Sequence, residues 1–281
     1  MNGINHPNRI LRGMLFLILS VAAAAFLFPV LIVAVNSLKT KFSISADPFS
    51  LPRGDTFAGF ANYETGLADT GFASAFLYSL FITVFSVAAI LFFTSMTAWY
   101  LVRVKSRGTR MFSALLMFSM IVPFQMVMFT MSKMANLLHL DHPAGLIVIY
   151  LGFGAGLSCF LFTGFLKSVP IGIEEAATID GCNPLQTFFY VVLPLLRPTA
   201  VTVAILNTMW IWNDYLLPYL VIGSDYRTIP IAVQYLKGGY GSVDMGAMMA
   251  MLVLSVLPVV AFYLAGQKYI VRGVAAGAVK G

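Results

Sequence analysis

Apolar residues in this chain come in long unbroken runs separated by short polar stretches, without the alternation of a half-buried strand. Crossing about 30 Å of hydrocarbon at about 1.5 Å per residue takes about 20 mostly apolar residues. Six segments meet that requirement, at roughly 11–35, 75–100, 111–131, 145–166, 199–222 and 245–266. The pattern predicts an all-α polytopic membrane protein with six transmembrane helices, forming one transmembrane domain over 1–281. The first run follows Arg9 and Arg12 and carries small residues from Ala22 to Ala25, as a cleaved signal peptide does. It exceeds the about 7–15 residues of a signal's apolar core, so an uncleaved helix is expected.

Composition agrees with the pattern. The chain is 59% hydrophobic and 10% charged over 281 residues, whereas a soluble domain carries about 25% charged residues. The net charge of +6 would suggest nucleic acid in a soluble protein, but here the loops account for it. With the N-terminus inside, inner segments hold eleven Lys and Arg and outer segments six, the strongest anchor being the loop with Arg103, Lys105, Arg107 and Arg110. Under the positive-inside rule both termini face the cytoplasm. Nucleic acid is not an expected partner, whereas membrane lipid is.

Several motifs are missing or fail in context. No G-x-x-x-x-G-K-[ST] occurs, so the chain does not cradle ATP phosphates, and no H-E-x-x-H or nucleophile elbow marks an enzyme. Cys159 and Cys182 suggest no disulfide framework, and His139 with His142 lacks a second ligand pair, so no metal is expected. The run Gly152 to Gly156 superficially resembles a nucleotide loop but follows no strand, and a small-xxx-small packing step is the better reading. The outer segment 36–74 is polar and rich in Gly, Pro and Asp, and suits a small folded cap, a contact with an outside partner or a disordered loop.

The inner loop 167–198 carries the clearest signal. Ser168 can cap a helix with Pro170 in its first turn, and Glu174 and Glu175 then lie where the helix dipole favours negative charge. Gly181 can stop the helix in a left-handed conformation, and Asn183-Pro184 can start a second helix ending before Pro194. Ala176 and Ala177 offer a low surface for close approach, while Glu175 and Asp180 can meet basic or amide groups of a partner. An amphipathic helix resting on lipid would instead favour Lys and Arg.

Within the fifth apolar run Asp214 stands among Trp210, Trp212, Asn213 and Tyr215. An acid there is a candidate for function, because burying it unpaired in lipid costs several kcal/mol. Aromatic rings beside hydrogen-bonding groups suit a sugar, so Trp212, Asn213, Asp214 and Tyr215 are candidate pathway residues. The competing reading is an inter-helix network. Gln125, beside Pro123, is a further polar candidate, with Met126, Met128 and Met131 read as packing.

Glu175-Ala176-Ala177, then Asp180-Gly181, then Leu193-Pro194 and Pro198, resemble the EAA loop of binding-protein-dependent ABC importer permeases. Asn36-Ser37-Leu38-Lys39, Trp212-Asn213-Asp214-Tyr215 with Pro218, and the tail Gly273 to Gly281 are similar to the carbohydrate-uptake, maltose-type branch. The resemblance covers nearly the whole chain, with Cys182 standing where the family commonly has Ala or Gly. It implies a permease subunit moving a sugar or oligosaccharide inward across the bacterial cytoplasmic membrane by alternating access. The implied partners are a second homologous permease, a cytoplasmic ATPase dimer that binds ATP and Mg, and an extracytoplasmic sugar-binding protein. Carried over, Glu175, Ala176, Ala177, Asp180, Gly181, Leu193 and Pro194 belong to the ATPase-coupling element, and the tail 272–281 is expected to touch the ATPase. The alternatives are an ABC permease for another solute and a stand-alone secondary transporter, for which no inverted repeat is visible.

Overall fold

The structure is a computed structural model that describes residues 9–223, 225–236 and 244–278, with side chains over 11–223, 225–236 and 244–267. The tail 272–281 therefore lies outside the described side chains, and its last three residues, 279–281, outside the described residues altogether. The helices are α1 (Arg9–Asn36), α2 (Lys41–Ala46), α3 (Ala61–Thr70), α4 (Phe72–Arg103), α5 (Arg107–Ile121), α6 (Phe124–Leu137) and α7 (Pro143–Leu166). They continue as α8 (Gly172–Ile179), α9 (Pro184–Thr187), α10 (Leu193–Leu195), α11 (Arg197–Asn213), α12 (Leu216–Ile222), α13 (Ile229–Gln234) and α14 (Met245–Ala278). Among the described residues no strand forms beyond one isolated bridge, Lys39 to Phe57.

Four helices are long and apolar enough to cross a membrane: Leu11–Asn36, Phe72–Arg103, Pro143–Leu166 and Met245–Gln267. Two bent pairs raise the number to six if each counts as one span, Arg107–Ile121 with Phe124–Leu137 at 108° and Pro184–Leu195 with Arg197–Asn213 at 75°. The expected third span, 111–131, is thus interrupted at Val122 and Pro123. Both have extended backbones, and Pro123 has no N–H to continue the ladder. The expected fifth span, 199–222, stops at Asn213 and restarts as the short α12.

By contact density the chain divides into two compact units. The first comprises Met1–Gly71 and Val233–Val256. In it residues 36–71, most of the segment expected to lie outside, are folded, which sets aside the reading of a disordered loop. Lys39, fully buried, donates to the Asp47 carbonyl at 2.8 Å and to Ser50 Oγ at 3.1 Å. Asn36 donates to the Pro48 carbonyl, Ser37 pairs with the Tyr63 hydroxyl, and Asn62 donates to the carbonyls of Ser37 and Lys39. A buried ammonium survives only when such acceptors surround it. The helix α3 lies close against the start of α14, where a Cβ on Gly66 would stand 2.7 Å from Met251 Cε. The most apolar stretch of α1 is not buried at all.

The second unit comprises Phe72–Ala232 and Leu257–Gly281, with its core between α4, α7 and α11. Ile90, Tyr150, Phe162, Leu166 and Val203 are fully buried there. Glycines let the helices approach. A Cβ on Gly154 would lie 2.6 Å from Ile90 Cδ1, and one on Gly156 2.8 Å from the Leu116 carbonyl of α5. Gly152, half of the expected small-residue step, faces open space instead. His142 Nδ1 accepts from the Gly145 N–H and caps α7, and His139 sits left-handed at φ 54° in the preceding turn. Among the described residues no group of three or more His, Cys, Asp or Glu could hold a metal ion.

Candidate functional site

The loop between α7 and α11 builds a rigid, two-faced element. Its helix α8 begins at Gly172, so Ser168 does not cap it; Ser168 Oγ donates back to the Phe165 carbonyl, and Pro170 precedes the helix. Gly181 ends α8 at φ +87°. The Gly181 N–H donates to the Thr178 carbonyl and the Cys182 N–H to the Ala177 carbonyl, both at 3.0 Å. This crossed pair is a Schellman motif, whose left-handed position favours glycine. Asn183 and Gln186 then cap each other's backbones at 2.9 Å, with Pro184 opening α9. The chain does not stop before Pro194, as the sequence suggested. A π-helical turn, Phe188–Val192, leads directly into α10, which contains Leu193 and Pro194, and the bend falls at Leu196.

One face of α8 is fixed to α4. Glu174 is 8% exposed. Its Oε1 accepts from Arg103 Nε at 2.9 Å and Nη2 at 2.6 Å, and its Oε2 accepts from Trp99 Nε1 at 2.8 Å. Arg103 Nη2 also donates to the Val169 carbonyl at 3.1 Å. Trp99 and Arg103 lie four apart at the end of α4, so one helical face presents both donors. Trp99 also packs on the buried ring of Phe188, centroids 5.6 Å apart, which ties the second half of the loop to the same point. Ala177 is buried beside Glu174.

The other face is open. Glu175, Ala176 and Asp180 are exposed, with Ile173 and Leu185, and Ile179 is 85% exposed. Positions 172, 175, 176 and 179 share a stripe of the helix. Of the sequence candidates, then, Glu175, Ala176 and Asp180 share the open side with exposed Gly181, Ala177 faces inward, and half-buried Leu193 and exposed Pro194 lie a dozen residues on.

A second cluster surrounds the break between α11 and α12. Asp214 Oδ1 accepts from the N–H groups of Leu216 at 3.1 Å and Leu217 at 3.4 Å, and so caps α12. Its Oδ2 accepts from the Tyr150 hydroxyl at 3.1 Å. Tyr150 also meets Trp210 edge-on at 5.4 Å. Trp212 is buried against Phe76, ring centroids 5.8 Å apart, and lines an almost wholly apolar cavity of about 320 Å³. Asn213 is exposed and donates to the Met209 carbonyl, while Tyr215 stacks on Tyr219 at 5.2 Å. Gln125 is exposed in the first turn of α6 and is not part of this cluster.

The order of these pieces over the second unit can be compared with known proteins. Residues 90–276 match the family of binding-protein-dependent transport system inner membrane components. A probable starch degradation products transport permease of Thermoanaerobacterium thermosulfurigenes is 40% identical over 276 residues, covering 98% of both chains. The chain belongs to this family. The permease is also 33% identical over 270 residues to a multiple sugar-binding transport permease of Streptococcus mutans, covering 94% of this chain and 96% of that one. Its fold is that of a bacterial ABC transporter involved in importing the acidic polysaccharide alginate, with TM-score 0.75, 24% identity, and 96% and 99% of the two chains covered.

The permease contains residues that the sequence did not single out. Trp99 carried no role, Glu174 counted only as an acid favoured by the helix dipole, and Arg103 only as a loop charge. Tyr150 and Asn207 sit inside apolar runs; Asn207 donates to Ser158 Oγ at 3.1 Å across α11 and α7. The isolated amide of Asn207 in a membrane run was the available signal.

Proposed function

We propose that this chain is one permease subunit of an ATP-driven sugar importer, acting as one six-span transmembrane domain with both termini in the cytoplasm. ATP and Mg bind a separate ATPase dimer, a second homologous permease completes the pathway, and an extracytoplasmic binding protein delivers the sugar. The observation that carries this reading is the two-faced α8. Its inner carboxylate holds α4, and its outer stripe of Glu175, Ala176 and Ile179 is left open. Apolar side chains exposed outside the spans suit a protein partner.

The mechanism follows from that geometry. The ATPase pushes on the outer stripe of α8. A short helix closed by a Schellman turn does not absorb the push by bending, and the Glu174–Arg103–Trp99 clamp passes it to the end of α4. Because α4 is 32 residues long and packed against α7, displacement of its inner end moves the span as a rigid lever. At the break after α11, Asp214 holds the shape of the turn, and Trp212, Asn213 and Tyr215 border the proposed sugar path. Gln125 is assigned to the same path on the α6 side.

The test is a pull-down of the tagged chain from membranes, with wild type beside Glu175→Lys and Gly181→Pro. Co-purification of an ATPase and a second permease with wild type, and loss of the ATPase from both variants, is the expected result. A wild-type chain that purifies alone with full transport activity overturns it in favour of a stand-alone transporter.

A further inference from the structure

A cavity of about 460 Å³ lies between the end of α4, α5 and the second half of α7. Three cations line it: Lys105 after α4, Arg110 in the first turn of α5, and Lys167 at the end of α7. No carboxylate lines it, and none of the three forms an ion pair among the described residues. The one acid of α8 that faces the bundle, Glu174, is already held by Arg103. Thr109, Ser113 and Thr163 add hydroxyls to the wall.

The lining is graded along the helices. From Arg110 the wall runs down α5 to Leu116, about 9 Å away at 1.5 Å per residue. From Lys167 it runs back along α7 to Gly156, about 16 Å away on the same measure. Positive charge is thus gathered at one end, and the wall becomes apolar with depth, through Leu116 and Met117. A small anion such as free phosphate uses only the charged end. A molecule with an anionic head and a long apolar tail uses both. Basic pockets between helices on the cytoplasmic side suit the headgroups of anionic lipids.

We propose that this cavity binds one anionic phospholipid, its phosphodiester among Lys105, Arg110 and Lys167 and an acyl chain along α5 and α7. The proposal rests on the cytoplasmic placement of the loops 104–106 and 167–198 given above. Bound there, the lipid would fill the groove beside Gly156, where α5 and α7 approach closely, and would sit next to the base of the coupling loop.

The test uses the purified importer in detergent, with bound lipid read by native mass spectrometry. The probes are phosphatidylglycerol, phosphatidylcholine of the same chains, and inorganic phosphate. Wild type is expected to retain phosphatidylglycerol about thirtyfold over phosphatidylcholine, the size of effect that two Lys or Arg contacts give. The double variant Lys105→Gln, Arg110→Gln, which leaves only Lys167, should lose most of that preference, and Lys105→Arg, Arg110→Lys should keep it. Equal binding of the two lipids by wild type, an undiminished preference in the Gln variant, or displacement of phosphatidylglycerol by millimolar phosphate overturns the proposal. The same samples are scored for co-purified ATPase. Its absence from wild type defeats the importer reading without touching the lipid result, and its presence with no lipid preference defeats only the lipid site.

Discussion

Two adjacent glutamates of α8 lie on opposite sides of the helix, Glu175 exposed and Glu174 buried, and the sequence singled out only the exposed one. Glu175 belongs to a local motif and could be read from its neighbours. Glu174 takes its role from Arg103, 71 residues away, and no local spacing announces such a pair. Removing one partner of a mostly buried ion pair costs about 3 kcal/mol, because the other charge is left stranded. Glu174→Ala should therefore lower the unfolding midpoint of the purified permease and uncouple ATP hydrolysis from transport. Exchanging the charges, Glu174→Arg with Arg103→Glu, should restore part of the stability but not the Trp99 bond. Gly181 was legible because a left-handed residue between a helix and an Asn-Pro start leaves few candidates. Gly152 was misread for the opposite reason: small-residue spacing identifies a face but not which neighbour meets it. Gly154→Ala and Gly156→Ala should each cost about 1–3 kcal/mol by overpacking, while Gly152→Ala should leave the thermal midpoint unchanged.

At the scale of elements, hydrophobic runs gave the positions of the helices but not their breaks. The elbow between α5 and α6 comes from one proline, and the break after α11 from a carboxylate that caps the next helix; both lie inside runs apolar enough to read as continuous. Asp214→Asn keeps an acceptor for the α12 N–H groups and should retain sugar uptake, whereas Asp214→Ala should lose about 1 kcal/mol of stability with the cap. Uptake that fails in Asp214→Asn while assembly is intact would move Asp214 from the frame of the path to its surface. The helix α8 allows a sharper contrast. Ile179→Glu alters only the open stripe, so ATPase co-purification should fall about tenfold, the effect of one interface anchor, while the thermal midpoint holds.

At the scale of the whole molecule, loop charges implied an orientation that native cysteines can check. Cys182 is half-buried between α8 and α9 and Cys159 is buried against α4. A membrane-impermeant maleimide should label the chain in inverted vesicles, at Cys182, and leave right-side-out vesicles unlabelled. Labelling from the outside would reverse the topology. The segment expected to lie outside was less legible. Its polar composition allowed disorder, and the Asn36 to Lys39 run looked like a family signature without a stated job. Its work is structural, since the buried ammonium of Lys39 gathers the carbonyls and hydroxyls that fold the segment.

The two faces of α8 also make its helical phase a quantity that mutation can change. Successive residues on a helix are rotated by about 100°. One alanine inserted after Ile171 would leave every original side chain of the loop present and its composition nearly unaltered. It would nonetheless turn Glu174 away from Arg103 and bring another residue to face the guanidinium. A single substitution on the open stripe leaves that lock in place, whereas a change of frame breaks it, so an insertion series through 172–179 should distinguish a rotational lock from a merely sticky surface.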